Sequence, residues 1–248
     1  MTNSLKPINI LDIPIHPLTM QEAIGYLDER IQAHQITNVV TANAEIIMMG
    51  QQDLAYRKLL QEADLVLPDG AGTVWAGRTL GNTVPERVAG FDLFLELIKH
   101  AAVKSYKVFF FGSSPGIAEI AKRKVELIAP GVQIVGCRNG YFSEADNPGI
   151  IEEINASGAQ LLFVALGAPK QEIWLKKYSA MLAPYVRIGI GGSFDVLAGK
   201  MSRAPKWMQE ASLEWLYRLY KQPSRFIRML ALPHFVLKIL YAKYCGIK

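Results

Sequence analysis

Six short apolar runs, each followed by a stretch of helical periodicity, constrain this chain more than any other feature. They are TNVVTAN (37–43), ADLVLPDG (63–70), KVFFFG (107–112), VQIVGC (132–137), QLLFVALG (160–167) and VRIGIGG (186–192). Most are unbroken β-branched or aromatic runs, not alternating ones, which is how strands covered on both faces of a parallel sheet read. Helical patterns lie between them at 19–34, 44–62, 91–103, 115–129, 149–157 and 169–183. This alternation predicts an α/β fold, a Rossmann-like and mostly parallel sheet with flanking helices. At 248 residues, half of them hydrophobic, the chain can bury such a core.

The pattern changes after Gly199. Residues 205–221 (PKWMQEASLEWLYRLYK) predict a helix that opens on Pro205 and breaks at Pro223, and 224–243 is apolar with basic punctuation. No strand run follows. The expected organisation is a Rossmann-like domain over 1–199 and a basic, aromatic helical appendage over 200–248. Charge divides the same way. Residues 200–248 carry ten Lys and Arg against Glu210 and Glu214, a surplus larger than the +5 of the whole chain, so the remainder is slightly acidic. A cationic tail suits an anionic membrane surface or a phosphate-bearing ligand. The segment FIRMLALPHFVLKIL (226–240) is shorter than the ~20 apolar residues of a spanning helix and holds Arg228, Pro233, His234 and Lys238. It is expected to lie on a membrane, or in a partner groove. The N-terminus lacks a signal-peptide pattern, and Cys137 and Cys245 form no disulfide framework or CxxC pair. A cytoplasmic protein at the inner face of the membrane is expected.

In folds of this kind ligands bind beyond the carboxyl ends of the strands. Five of the six runs end in small or polar residues: Thr41 and Asn43, Asp69 and Gly70, Gly112 to Gly116, Gly167 to Gln171, and Gly191 to Asp195. Taken singly they are ambiguous. Asp69 suits a general base in a cleft and suits a helix cap equally well. Gly112-Ser113-Ser-Pro-Gly116 suits a phosphate at a helix N-terminus, although an ordinary strand-to-helix turn is the more frequent explanation. Glu172 is expected to complement a helix dipole, and Asp195 to accept from a sugar hydroxyl or to cap a helix. No Asp-x-Asp pair and no histidine pair at ligand spacing occurs, so no metal is expected. Arg218, Arg225 and Arg228 fall on one helical face, where they serve either as phosphate ligands or as a solvated basic face.

Together the segments resemble the WecG/TagA/CpsF glycosyltransferases, glycosyltransferase family twenty-six. The likeness rests on Thr41–Glu45, Asp69–Gly70, Arg87–Gly90, Gly167–Glu172, Gly191–Asp195, Arg203–Pro205 and Glu214–Leu219, seven segments in order over nearly the whole chain. The resemblance implies an inverting, metal-independent transferase without a cofactor. It would move N-acetylmannosamine, or a related hexosamine, from a UDP-sugar to undecaprenyl-pyrophosphate-linked GlcNAc in cell-surface polysaccharide synthesis. It also implies Asp69 as catalytic base, with Thr41, Arg87 and Gln171 beside it in the catalytic set. Asn43, Gly70, Gly112, Ser113, Gly167, Lys170 and Asp195 would bind substrate, as would Arg218, Arg225 and Arg228 once the appendage folds over the cleft. The expected partners are thus the UDP-sugar donor, a polyprenyl-pyrophosphate-sugar acceptor and an anionic membrane surface. Further copies of the chain are compatible with the sequence. Three other readings compete. One is a different donor sugar, glucose or N-acetylmannosaminuronic acid. Another is a non-catalytic nucleotide-binding membrane module. The third, a nicotinamide or methyl-donor enzyme, lacks the G-x-G-x-x-G loop after the first strand. Nucleic-acid binding is not expected, because the basic residues of the tail alternate with bulky apolar ones.

Overall fold

The computed structural model describes residues 6–211, 213–221 and 226–245, apart from the side chains at 210, 218, 227 and 228. An antiparallel ribbon, β1 (Ile8–Ile10) and β2 (Ile13–Ile15), precedes helix α1 (Met20–Gln32). Six parallel strands follow: β3 (Thr37–Ala42), β4 (Leu65–Pro68), β5 (Lys107–Gly112), β6 (Gln133–Arg138), β7 (Leu161–Ala165) and β8 (Val186–Gly189). They form one sheet in the order β4-β3-β8-β7-β5-β6. The crossovers are α2 (Ala44–Gln52) and α3 (Leu54–Gln61), then α4 (Gly70–Thr79) and α5 (Gly90–Lys104), α6 (Ile117–Ile128), α7 (Asn147–Ala156) and α8 (Lys170–Lys177). After β8 come α9 (Ser193–Leu197), α10 (Lys206–Glu210), α11 (Glu214–Lys221), α12 (Phe226–Met229) and α13 (Ala231–Cys245). The α/β architecture and the helical C-terminal segment match the sequence expectation.

Two-residue alternation along each strand sends neighbouring side chains to opposite faces. Val39, Leu65, Leu67, Phe110, Phe163 and Ile188 pack with α1, α5 and α6. On the other face Val40 and Val66 pack with α2, α3 and α13, and Phe109, Phe111, Leu162 and Val164 pack with α7 and α8. Both faces are covered, which explains why the strands read as unbroken apolar runs. One charge hides in them. Arg187 is fully buried in β8. It donates to the carbonyls of Pro184 and Ser179, each at 2.8 Å, and to that of Leu182. Burial lowers its pKa to about 10, and the three carbonyls satisfy the guanidinium.

Several boundaries differ from expectation for local reasons. The helix expected over 44–62 is two, because the Asp53 side chain accepts from the N–H groups of Ala55 and Tyr56 and starts a new helix. The helix expected over 205–221 is likewise two, α10 and α11. The β1–β2 ribbon was not expected at all. Its strands have three residues each, too short for a periodicity signal. Pro223, the expected break, lies outside the described residues.

Candidate functional site

The carboxyl ends of β4, β3, β8, β7 and β5 converge on one edge of the sheet, and the backbone holds them there. The N–H of Asp69 donates to Ala42 O (3.1 Å), which ties the end of β4 to that of β3. Thr73 Oγ1 also donates to Ala42 O (3.0 Å), so α4 starts against β3. Val88 N–H donates to Pro68 O (2.9 Å) and brings Arg87 to the same edge. Asp69 occupies the N-cap position of α4, but its side chain makes no capping hydrogen bond. The helix-cap alternative for Asp69 is therefore corrected: the carboxylate lies at the helix start without serving as its cap. Gly70 follows at φ +83°, a left-handed turn that glycine allows.

Asn43 does cap its helix, its side chain accepting from Ile46 N at 3.0 Å. Thr41 is buried beneath it, against the start of α5. A Cβ on Gly90 would lie 2.7 Å from Thr41 Oγ1, so that helix can approach only with glycine there. Gln171 is almost fully buried. Its Oε1 accepts from Gly191 N (2.9 Å) and Gly167 N (3.2 Å), and its Nε2 donates to Glu172 Oε1 (2.7 Å). Its polar atoms are thus engaged within the protein. Glu172 is expected to complement the dipole of a helix N-terminus. It lies in the first turn of α8, as that reading requires; it is also buried, and burial raises its pKa.

The glycine turn after β5 serves packing first. Gly112 has φ +125°, and a Cβ there would lie 2.4 Å from Ala165 O. Ser113 Oγ donates to Asp195 Oδ2 (3.0 Å), and Lys200 Nζ lies 3.5 Å from Asp195 Oδ1. Asp195 is not a cap, since Gly192 holds that position in α9. Its neighbour Phe194 anchors it. The Phe194 ring is fully buried, 4.7 Å from Phe110 and 5.9 Å from Phe94 between centroids. Lys170 opens α8, exposed on the rim near Asp195.

Three adjoining cavities run along this edge. A broad one of about 1370 Å³ lies over the β5–β7 side and is lined by Ser113, Tyr141, Lys170, Asp195 and Lys200. It meets a smaller, polar one of about 180 Å³ at Met201. Thr41, Gln171, Gly167, Gly191, Arg203 and Asp69 line that second cavity. The third, about 510 Å³ and largely apolar, lies under the C-terminal helices between Trp75, Trp215, Leu232 and Phe235. Asn43, Glu45, Asp69 and Glu214 border both the second and the third.

A charged chain flanks Asp69 that the sequence did not announce. Arg203 grips Asp92 through two hydrogen bonds of 2.6 and 2.7 Å. Arg87 lies 3.9 Å from Asp92 and 3.5 Å from Glu214 of α11. Burial works against the Arg203 charge, but the Asp92 carboxylate more than offsets this and holds its pKa above the usual arginine range, with Glu214 and Asp69 adding to the field. No local signal could have paired Arg203 with Asp92, 111 residues away. Arg225 lies outside the described residues, as do the side chains of Arg218 and Arg228. Among the described residues no helix is long and apolar enough to cross a membrane, and no group of three or more His, Cys, Asp or Glu is arranged to hold a metal ion.

The family model described as "Glycosyl transferase WecG/TagA/CpsF family" matches residues 8–246. A protein of Bacillus spizizenii named N-acetylglucosaminyldiphosphoundecaprenol N-acetyl-beta-D-mannosaminyltransferase is 38% identical over 238 residues, covering 95% of this chain and 90% of that protein. A Bacillus subtilis protein of the same name is 34% identical over 232 residues, covering 93% and 90%.

Proposed function

The chain belongs to the WecG/TagA/CpsF glycosyltransferase family, and from that premise we propose that it transfers N-acetylmannosamine from a UDP donor to a polyprenyl-diphosphate-linked GlcNAc. The relatives' names supply the sugar and the acceptor. The observation that carries the reading is the position of Asp69, on the wall between a polar cavity and an apolar one.

In this reading the nucleotide occupies the broad cavity, with Asp195, Ser113 and Lys200 as polar contacts. The donor diphosphate and sugar extend past Met201 over the loops of Gly167 and Gly191. The acceptor enters from the apolar cavity, whose Trp and Leu side chains suit a polyprenyl chain. An acceptor hydroxyl is a weak nucleophile at neutral pH. The Asp69 carboxylate takes its proton as the oxygen attacks the anomeric carbon from the face opposite the leaving UDP, so configuration inverts. Negative charge grows on the departing diphosphate. Arg87 and Arg203, together with Arg218, Arg225 and Arg228 of the appendage, are the cations offered for it, in place of a metal ion. The outward side chains of α13 support peripheral attachment to an anionic membrane at the inner face: Leu237, Tyr241 and Tyr244 are exposed near Lys243.

The test is UDP release from UDP-N-acetylmannosamine with a short-chain polyprenyl-diphosphate-GlcNAc, run beside UDP-glucose and UDP-N-acetylmannosaminuronic acid, with and without EDTA. Release with the first donor, undiminished by EDTA, is expected. Preference for another donor would replace the sugar, and loss under EDTA restored by Mg²⁺ would replace the metal-independent step. No turnover with any UDP-sugar on membranes would overturn the proposal.

A further inference from the structure

Behind the cleft lies a buried polar group that the transfer chemistry does not use. Glu172 is only 4% exposed. Its Oε1 accepts from Gln171 Nε2 at 2.7 Å, and Gln171 Oε1 in turn accepts the N–H groups of Gly167 and Gly191. Those two glycines head the loops after β7 and β8, and both line the polar cavity. Each has positive φ, +78° and +54°. One side chain therefore fastens two loops that no backbone hydrogen bond between those glycines joins among the described residues. The space for it is specific. A Cβ on Gly189 would lie 2.5 Å from Gln171 Nε2 and 2.7 Å from its Cδ, so β8 has a glycine where Gln171 crosses it.

On the far side Tyr56 of α3, itself 3% exposed, interacts with Glu172. Neither Tyr56 Oη nor Glu172 Oε2 completes a hydrogen bond of standard geometry. An unsatisfied buried polar atom costs on the order of 1–3 kcal/mol, so the pair is held there by the packing around it.

We propose that Glu172 is a positioning residue that acts through Gln171 to bracket the Gly167 and Gly191 loops around the cleft. It holds Gln171 in the one amide orientation that turns Oε1 towards both glycine N–H groups. A flipped amide would present NH₂ to those donors and lose both bonds. Burial raises the pKa of Glu172; its Oε1 accepts from Gln171, and Tyr56 lies against it on the other side. Glutamine can reproduce this pattern and alanine cannot. The inference rests on the cleft being the donor site, but its primary readout does not.

The experiment compares full-length wild type, Glu172→Gln and Glu172→Ala by amide hydrogen exchange at the Gly167 and Gly191 loops, and then by donor kinetics. In Glu172→Ala both loops should exchange faster together, and the KM for the UDP-sugar should rise by up to about 100-fold. A merely structural defect would instead lower the active fraction and leave KM unchanged. Glu172→Gln should keep the loop protection and KM of wild type within about threefold, a difference of ~0.65 kcal/mol. Wild-type protection in Glu172→Ala would overturn the proposal, as would Glu172→Gln failing at both loops like alanine. If Glu172→Ala does not fold, Gly189→Ala carries the same test, because its Cβ displaces Gln171; protected loops there would also overturn it. Absence of turnover in the wild type would count against the donor assignment alone, with the exchange result still decisive for the bracket.

Discussion

Replacing Asp69 separates the two roles a carboxylate can have at the start of a helix. Asn caps as well as Asp, while Ala loses a cap at a cost of ~1 kcal/mol. For a domain of this size that would lower Tm by roughly 2–4 °C. Because the Asp69 side chain makes no capping bond to α4, Asn and Ala should melt alike. Both lose a negative charge near the helix N-terminus, worth about 0.3–1 kcal/mol, so each should melt within about 4 °C of wild type. Turnover should behave differently. General-base catalysis contributes about 10²–10⁴-fold, or ~3–5 kcal/mol of barrier. Asp69→Asn should therefore lower kcat by that factor while UDP binding stays close to wild type. The assays are calorimetric UDP titration, thermal melting and UDP release on one preparation of each variant. Turnover of Asp69→Asn within about threefold of wild type would remove the residue from the mechanism, since even the weakest general base is worth ~100-fold. An Ala variant clearly less stable than Asn would restore the cap.

Three further outcomes follow from packing and protonation. Gly112→Ala would bring Cβ to 2.4 Å from Ala165 O at φ +125°; a loss on the order of 2–3 kcal/mol in urea unfolding is expected, and an unchanged midpoint would contradict the packing. His16 is buried, which lowers its pKa below the ordinary histidine range, and its Nδ1 accepts from Val66 N at 3.0 Å. The unfolded chain therefore takes up the proton first as pH falls through about 6.5. The contribution of His16 is present in full above that pH and lost between there and its lower folded pKa. His16→Gln should flatten the fall in Tm between pH 7.5 and 5.5, and identical slopes would refute this. Phe235 is 1% exposed and fixes α13 against α2. Phe235→Ala, which costs ~3–5 kcal/mol at a well-packed site, should expose 226–245 to proteolysis and raise the KM for the lipid acceptor. An unchanged digestion pattern would show that α13 is docked by other contacts.

Much of the site's location was legible in the chain. Asp69, Thr41, Asn43, Gly167 and Asp195 all lie at or just beyond the ends of apolar runs, and parallel strands deliver their carboxyl ends to one edge. Their roles were less legible. Asp69 and Asn43 both start helices, yet only Asn43 caps one. The difference lies in the side-chain direction, which composition does not encode. Gln171 read as a ligand contact, and the structure adds that its amide fastens two loops.

By itself the sequence determined the layered α/β fold, the change of character after Gly199 and the edge on which the candidate site residues collect. These follow from hydrophobic periodicity and charge distribution, which are local properties of a chain. Only the tertiary structure decided that Arg203 would grip Asp92, that Glu214 of the appendage would reach Arg87, and that Glu172 would be buried behind the cleft. Such pairings join residues far apart in the chain. Their energies depend on distance and desolvation, and neither exists until the sheet has brought the partners together.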